Sequence, residues 1–216
     1  MRARTVVALV RVATAAVCLV ALVHRLFWGL SSRTAAGENF FAYLTVQSNI
    51  ALMLLLVVAA ALALRRAEDP RWLSAAYALV LTWTLTAGLA FGLIVWQAHL
   101  RGIPMTVPWS DQLIHYWLPA FSATAWLVTP ARRPVPWTIV PASLAFPLVW
   151  GGFTMWRGPI IGWYPYYFLD PRQVSGPAEF LGTSAVALAI FAAVSSVLVL
   201  TSRLPGVRWS RPGPGS

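Results

Sequence analysis

Apolar residues fall into six long runs separated by short polar segments. The runs are approximately Thr5–Leu30, Ala42–Leu64, Trp72–Gln97, Gln112–Thr129, Pro136–Trp156 and Glu179–Thr201. Each run approaches or exceeds the roughly 20 residues that a helix needs to cross a bilayer, and each is too long and continuous for a strand of a membrane barrel. The pattern predicts an all-α polytopic membrane protein, a bundle of six transmembrane helices.

The composition favours a lipid environment for these runs. Of the 216 residues, 59% are hydrophobic and 10% are charged, whereas a soluble domain is about half apolar and about a quarter charged. Six spans leave only short connections, so we expect a single transmembrane domain, residues 1–208, and a disordered tail, residues 209–216. Arg2 and Arg4 precede the first run as in a signal peptide, but the length of the run predicts a retained anchor.

Arginine alone carries the formal net charge of +10. The arginines flank the apolar runs, which favours membrane orientation and contact with anionic lipid over nucleic-acid binding. Eleven of them lie at the N-terminus, in the second and fourth connections and in the C-terminal tail, against five elsewhere. By the positive-inside rule both termini are predicted to be cytoplasmic, and we expect the protein in the plasma (inner) membrane.

Polar side chains in the spans gather at the ends that this topology places outside. These ends carry His24, Thr45, Gln47, Ser48, Asn49, Asp111, His115 and Glu179. Because polar groups are costly in lipid, their concentration predicts a polar pocket near the outer leaflet. The long connection 157–178 is rich in Gly, Pro and Tyr and is expected to cover this pocket, with Tyr164 and Tyr167 as candidates for contacting a substrate.

Asp111 and His115 are four residues apart and share a helix face. A carboxylate there would accept a hydrogen bond from one imidazole nitrogen and leave the other as a base, although Asp111 suits a helix cap equally well. Thr45 has a plain alternative as a hydroxyl bonded to its own helix, and His24 as a packed residue at the interface. The three histidines lie on separate helices without paired spacing, so neither a metal site nor a cofactor is predicted.

Three segments resemble motifs of a known family of membrane enzymes. They are Phe41–Asn49 (FAYLTVQSN), His115–Pro119 (HYWLP) and Trp163–Asp170 (WYPYYFLD). They look like the membrane hydrolases of the androgen-induced-gene type, closest to the bacterial six-helix branch. Members of that family are multi-pass helical proteins that hydrolyse fatty acid esters of hydroxy fatty acids, with a threonine nucleophile and a histidine. The resemblance implies that Thr45 and His115 take these two roles.

The favoured hypothesis is therefore a hydrolase that cleaves a membrane lipid or lipid ester. In it His115 takes the proton of the Thr45 hydroxyl, and Asp111 orients the histidine. The oxyanion candidates are Asn49, Ser48 and Gln47, and the pocket candidates are His24, Tyr164, Tyr167 and Glu179. The alternative is a non-catalytic membrane protein that binds a lipid or small solute, or a transporter. Transport would need a polar path to the inner half, of which Thr82, Thr84 and Thr86 are the only hint.

Overall fold

The computed structural model describes residues 2–31, 37–66, 68–128 and 133–204. Within these ranges every regular element is helical and no strand occurs, which confirms the all-α prediction. The main helices are α1 (Arg2–Ser31), α2 (Leu44–Arg65), α3 (Arg71–Leu100), α4 (Trp109–Gln112), α5 (Leu118–Val128), α6 (Ile139–Ile161) and α7 (Pro177–Thr201). The predicted disordered tail, residues 209–216, lies outside the described residues.

Five helices are long and apolar enough to cross a membrane, namely α1, α2, α3, α6 and α7. Their outward surfaces are covered with large apolar side chains that remain exposed, such as Leu9, Val20 and Phe27 of α1. A soluble protein rarely leaves so many apolar side chains in contact with water. The structure therefore fits a membrane helical bundle.

The fourth predicted run is a broken helix. Leu113–Trp117 forms a π-helical turn between α4 and α5, in which the Leu118 N–H bonds to the Leu113 carbonyl five residues earlier. Pro119 explains the break, because it has no N–H to donate to the His115 carbonyl and so cannot close the regular α-helical bond. Thr129, the predicted end of this run, lies outside the described residues.

Contacts between helix ends divide the bundle into two poles. We call one the histidine end, where Ser110 contacts His24 and Trp150 donates to the Ala42 carbonyl. We call the other the arginine end, where the Trp126 indole donates to the Thr201 hydroxyl at 3.1 Å. Since Ser110 and Trp126 belong to the same helical stretch, Trp109–Val128 extends from one end of the bundle to the other.

The arginine end ties α1 to the connection between α2 and α3. Arg4 and Arg11 bind opposite oxygens of the Asp69 carboxylate at 2.5 and 2.8 Å. Both arginines also donate to carbonyls near the end of α2. Arg4 bonds to Ala63, one of the last carbonyls, which has no partner within the helix, and Arg11 bonds to Ala59. Burial opposes the ionisation of Asp69, but the hydrogen bonds from Arg11 and Arg4 outweigh it and hold the pKa of this carboxyl below its usual value.

At the histidine end α6 continues further than the sequence predicts. It ends at Ile161, where Gly162 adopts a left-handed conformation with φ of 67° that closes the helix. Arg157 is therefore helical, and the connection to α7 spans residues 162–176. Asp170 accepts hydrogen bonds from Arg172 and from the Gln173 side chain, which hold its pKa well below the usual range and brace this connection.

Candidate functional site

Thr45 and His115 line the same cavity at the histidine end, although they come from separate motifs. The cavity has a volume of about 180 Å³, and we call it the threonine cavity. Arg25 and Asp111 form its charged wall, and its other walls come from the start of α2, from α3 and from the connection 162–176. One hydroxyl, one imidazole and one ion pair thus face a common space.

The Thr45 hydroxyl does not follow the usual pattern of a threonine in a membrane helix. The hydroxyls of Thr14 and Thr82 donate to carbonyls four residues earlier in their own helices. Thr45 is the second residue of α2, so the corresponding residue is Phe41, whose carbonyl accepts from the Gln47 side chain. The Thr45 hydroxyl instead lies 3.4 Å from the phenol oxygen of Tyr166.

His115 lies in the π-helical turn with its ring fixed on two sides. Its Nδ1 lies 2.9 Å from the Asp111 backbone carbonyl, and its ring stacks on Phe91 with the centroids 3.9 Å apart. A carbonyl can only accept, so Nδ1 carries the hydrogen and Nε2 of the neutral ring is the acceptor. This arrangement selects the tautomer that a general base requires.

Gly88 of α3 allows the π-helical turn to approach. A Cβ atom at this position would lie 2.1 Å from the carbonyl oxygen of His115. This is the carbonyl that Pro119 leaves without its regular helical partner, and it projects toward α3. The missing side chain of Gly88 therefore helps to position the histidine.

The Asp111 carboxylate binds Arg25 of α1. Its Oδ1 lies 2.6 Å from the guanidinium Nε, and the two side chains are 8% and 18% exposed. Asp111 thus orients His115 through its backbone carbonyl, while its carboxylate neither contacts the imidazole nor caps a helix. Arg25 was not among the predicted site residues. Its position inside an apolar run, at the end that carries the polar cluster, is the signal that identifies it.

The three oxyanion candidates donate to backbone carbonyls. Asn49 is fully buried, and its amide nitrogen donates to the carbonyls of Thr45 at 2.9 Å and Ile114 at 3.1 Å. The Ser48 hydroxyl donates to the same Thr45 carbonyl. Gln47 donates to Phe41 and lines a different cavity. Asn49 consequently joins α2 to the turn that carries His115.

Tyr166 is a site residue that the sequence analysis did not select. Its phenol is within hydrogen-bond distance of the Thr45 hydroxyl, and its ring packs against Tyr43, Trp150 and Phe168. Burial raises the pKa of Tyr166, so at neutral pH the phenol keeps its proton and can donate it. The sequence cannot distinguish Tyr166 from the predicted Tyr164 and Tyr167, because it does not show which way each side chain of the loop points.

The four predicted pocket candidates lie outside the threonine cavity. His24 hydrogen-bonds the Ser110 hydroxyl at 3.0 Å and packs on Trp109. Tyr164 packs against Gly158, and Tyr167 donates to the Gln97 side chain. Glu179 accepts the Ser175 backbone N–H at 2.7 Å and so closes the N-terminus of α7.

The donor set of this site suits acyl chemistry. Among the described residues no group of three or more His, Cys, Asp and Glu side chains is arranged to hold a metal ion. The threonine cavity combines a hydroxyl, an imidazole with an accepting Nε2 and a protonated phenol.

No protein-family model, curated protein or solved structure matches this chain.

Proposed function

We propose that this protein is a membrane-embedded hydrolase that cleaves a fatty-acyl ester, with Thr45 as the nucleophile and His115 as the general base. One observation carries the proposal: the two side chains line the same largely apolar cavity, and the hydrogen bond of Nδ1 to Asp111 leaves Nε2 of His115 to accept a proton. A nucleophile, a base and a group that orients the base are the usual parts of an acyl-transfer site.

We also propose that the protein crosses the plasma membrane six times, with both termini in the cytoplasm. The helical stretch Trp109–Val128 has 20 residues, which at about 1.5 Å per residue matches a bilayer core of about 30 Å. Its contacts reach both ends of the bundle. The arginines concentrated at one end favour that end as the cytoplasmic one.

The first chemical step is attack by threonine. His115 Nε2 takes the proton of the Thr45 hydroxyl while the oxygen forms a bond to the ester carbonyl carbon. The Tyr166 phenol, 3.4 Å from the Thr45 oxygen, donates to the negative oxygen that develops. The tetrahedral intermediate then collapses, and the proton on His115 passes to the departing alkoxide, which leaves as an alcohol.

The second step releases the acid. His115 takes a proton from water, the resulting hydroxide attacks the acyl-threonine, and the Thr45 oxygen recovers its proton as it leaves. Arg25 and Asp111 neutralise each other and hold the base through the Asp111 backbone. Neither charge needs to change during the cycle.

The size of the cavity indicates how a long substrate would bind. A ligand pocket usually measures about 300–1,000 Å³, whereas the threonine cavity is about 180 Å³. It suits an ester group and the first carbons of a chain, flanked by Phe91, Ile94 and Ile114. The remainder of an acyl chain would extend between helices into the lipid.

Two of the three threonines that hinted at a transport path bond within their own helix. The hydroxyls of Thr82 and Thr84 are buried and bond to carbonyls of their own helix, Ala78 and Val80. They therefore stabilise α3 instead of lining a path for a solute.

Fluorophosphonate labelling of purified protein tests the nucleophile. We expect the wild type to be labelled at Thr45, and both Thr45→Ala and His115→Ala to lose the label. Turnover of 4-nitrophenyl acyl esters should fall by about 10²–10⁴ in His115→Ala. Thr124→Ala, which removes an exposed hydroxyl that bonds to its own helix, is the matched control and should react like the wild type.

Two results would overturn the assignment. One is a Thr45→Ala variant that labels and hydrolyses like the wild type. The other is a folded wild type, shown by a cooperative thermal transition, that neither labels nor turns over any ester of the series. The second result would favour the non-catalytic binding protein.

A further inference from the structure

A second cavity lies on the opposite side of the start of α2. It has a volume of about 230 Å³ and is lined by Glu38, Gln47, Arg157 and Trp163 together with exposed aromatic rings, and we call it the Arg157 cavity. Gln47 faces it, two positions after Thr45 of the threonine cavity. The proposed hydrolysis uses none of these side chains.

The Arg157 cavity lies beside the last turns of α6. Arg157 is four residues before the end of α6, about 6 Å along the axis. The same part of α6 exposes Phe153, Trp156 and Ile160, at 52%, 65% and 67%. Exposed aromatic side chains near the end of an apolar helix, here Phe153 and Trp156, are typical of the membrane interface.

The cavity presents a cation and an anion that do not neutralise each other. The Arg157 guanidinium donates to the Asn39 side chain at 2.5 Å, which leaves further N–H groups of its fork for a ligand. Glu38 is exposed at the rim. Within the described ranges 2–31, 37–66, 68–128 and 133–204 neither side chain forms an ion pair.

We infer that the Arg157 cavity binds a phosphoethanolamine headgroup of a membrane phospholipid. A guanidinium matches the geometry of phosphate oxygens, and Glu38 provides a carboxylate for the primary ammonium. Trp163 and Phe41 flank the site with rings suited to the CH₂ groups and the cation. An anionic headgroup without an ammonium would leave Glu38 unpaired, and a choline headgroup has no N–H to donate to it.

Occupancy of this cavity would also brace the proposed active site. Pro165 lines both cavities, one residue before Tyr166. A headgroup held by Arg157 would therefore stabilise the segment that places the Tyr166 phenol beside Thr45. This consequence rests on the proposed function, whereas the binding itself does not.

Native mass spectrometry of the full chain tests the binding. The protein is titrated in detergent with equal amounts of dioleoyl phosphatidylethanolamine and dioleoyl phosphatidylglycerol, which share acyl chains and differ in headgroup. We expect one phosphatidylethanolamine to be retained preferentially. Its apparent affinity should fall by about tenfold in Arg157→Gln and in Glu38→Gln, because each removes one charge-assisted hydrogen bond.

Arg101→Gln is the matched control, since Arg101 is an exposed arginine at the end of α3, outside the cavity. It should retain the lipid like the wild type, and Arg157→Lys should keep part of the binding. Equal retention of the two lipids by the wild type, or unchanged retention in both Arg157→Gln and Glu38→Gln, would overturn the inference.

Soluble glycerophosphoethanolamine separates the two sources of this headgroup. We expect millimolar glycerophosphoethanolamine to leave the bound lipid in place. The acyl chains of the lipid also pack against the exposed rings of Phe41 and Phe153, and the soluble compound has no such chains. Displacement by the soluble compound would show that the headgroup alone suffices and would overturn the assignment to a membrane lipid. Ester hydrolysis is measured separately, so a failed hydrolase proposal leaves this result unaffected.

Discussion

Asn49 shows how a single buried side chain can join two elements of the site. Its amide donates to a carbonyl of α2 and to the carbonyl of Ile114 in the π-helical turn. A polar group buried without partners is costly, and here one buried side chain supplies a donor to carbonyls of two different elements. Asn49 therefore stabilises the spacing between Thr45 and His115 without facing the substrate.

Replacing Asn49 tests this role. We expect Asn49→Leu to lower the free energy of unfolding by about 1–3 kcal/mol, because the Ile114 carbonyl loses its side-chain donor, while the Thr45 carbonyl still accepts from Ser48. The measurement is thermal unfolding in detergent, followed by tryptophan fluorescence. Gln47→Leu is the control, since Gln47 is only partly buried and donates to a carbonyl before the helix. Similar melting of the two variants would contradict the assigned role.

The ion pair of Arg25 and Asp111 supports a second prediction at this scale. We expect Arg25→Gln to destabilise the protein by about 3 kcal/mol, because it leaves a buried carboxylate without its partner. The double variant Arg25→Gln with Asp111→Asn should recover most of this loss. Unfolding of the wild type, both single variants and the double variant gives the coupling energy, and a value near zero would show that the pair does not interact.

At the scale of elements, the π-helical turn positions the proposed base. Pro119 removes one regular hydrogen bond, the turn gains one residue, and the freed His115 carbonyl approaches α3 at Gly88. Such turns are uncommon and often occur at functional sites. The position of His115 therefore depends on a residue after it and on a glycine of another helix.

Gly88→Ala tests the contact between these elements. A Cβ there would lie 2.1 Å from the His115 carbonyl oxygen, so we expect a loss of about 1–3 kcal/mol or more, together with reduced ester turnover. Gly92→Ala is the matched control on the same helix, because its Cβ would lie 3.8 Å from the nearest atom, in Tyr116. Equal stability and turnover of the two variants would show that α3 does not constrain the turn.

At the scale of the whole molecule, the charged groups at the two ends have different roles. At the histidine end one ion pair supports the proposed base. At the arginine end, Arg4 and Arg11 connect α1 to the start of α3 through Asp69. The second arrangement stabilises the packing of α1 against α2 and lies far from the threonine cavity along the helices.

Acidification should weaken the arginine end. The pKa of Asp69 is lower in the folded protein than its usual value of 3.8. The stability that its pairing contributes is therefore complete above pH 4 and is lost as the pH falls through the lower, folded pKa. Asp69→Asn should cost about 2 kcal/mol at pH 7. Thermal unfolding should show this difference shrinking at low pH, and a difference independent of pH would contradict the account.

Topology is the remaining prediction at this scale. In a Cys18→Ser background, Met105→Cys should react with an impermeant maleimide in intact cells. Arg133→Cys and the control Glu68→Cys should react only after permeabilisation. Both side chains of the Arg133–Glu68 pair are accessible, at 41% and 78%. Labelling of Met105→Cys and Arg133→Cys from the same side would show that Trp109–Val128 does not cross the membrane.

The sequence alone determined the helical class and the membrane character of this protein. Runs of about 20 apolar residues must be helical in lipid because their backbone groups have no other partners. The same argument predicted α1, α2, α3, α6 and α7. The sequence did not predict the π-helical turn, since the effect of Pro119 depends on whether α3 has room for a projecting carbonyl.

Polar positions near one end of the spans predicted a pocket, and the resemblance of two sequence motifs singled out Thr45 and His115 within it. Only the tertiary structure decided that they share a cavity, that Asp111 pairs with Arg25, and that Tyr166 rather than Tyr164 or Tyr167 approaches Thr45. The physical reason is geometric. Periodicity shows how deep a residue lies and whether two residues share a face of one helix. The direction in which that face points depends on how all the helices pack together.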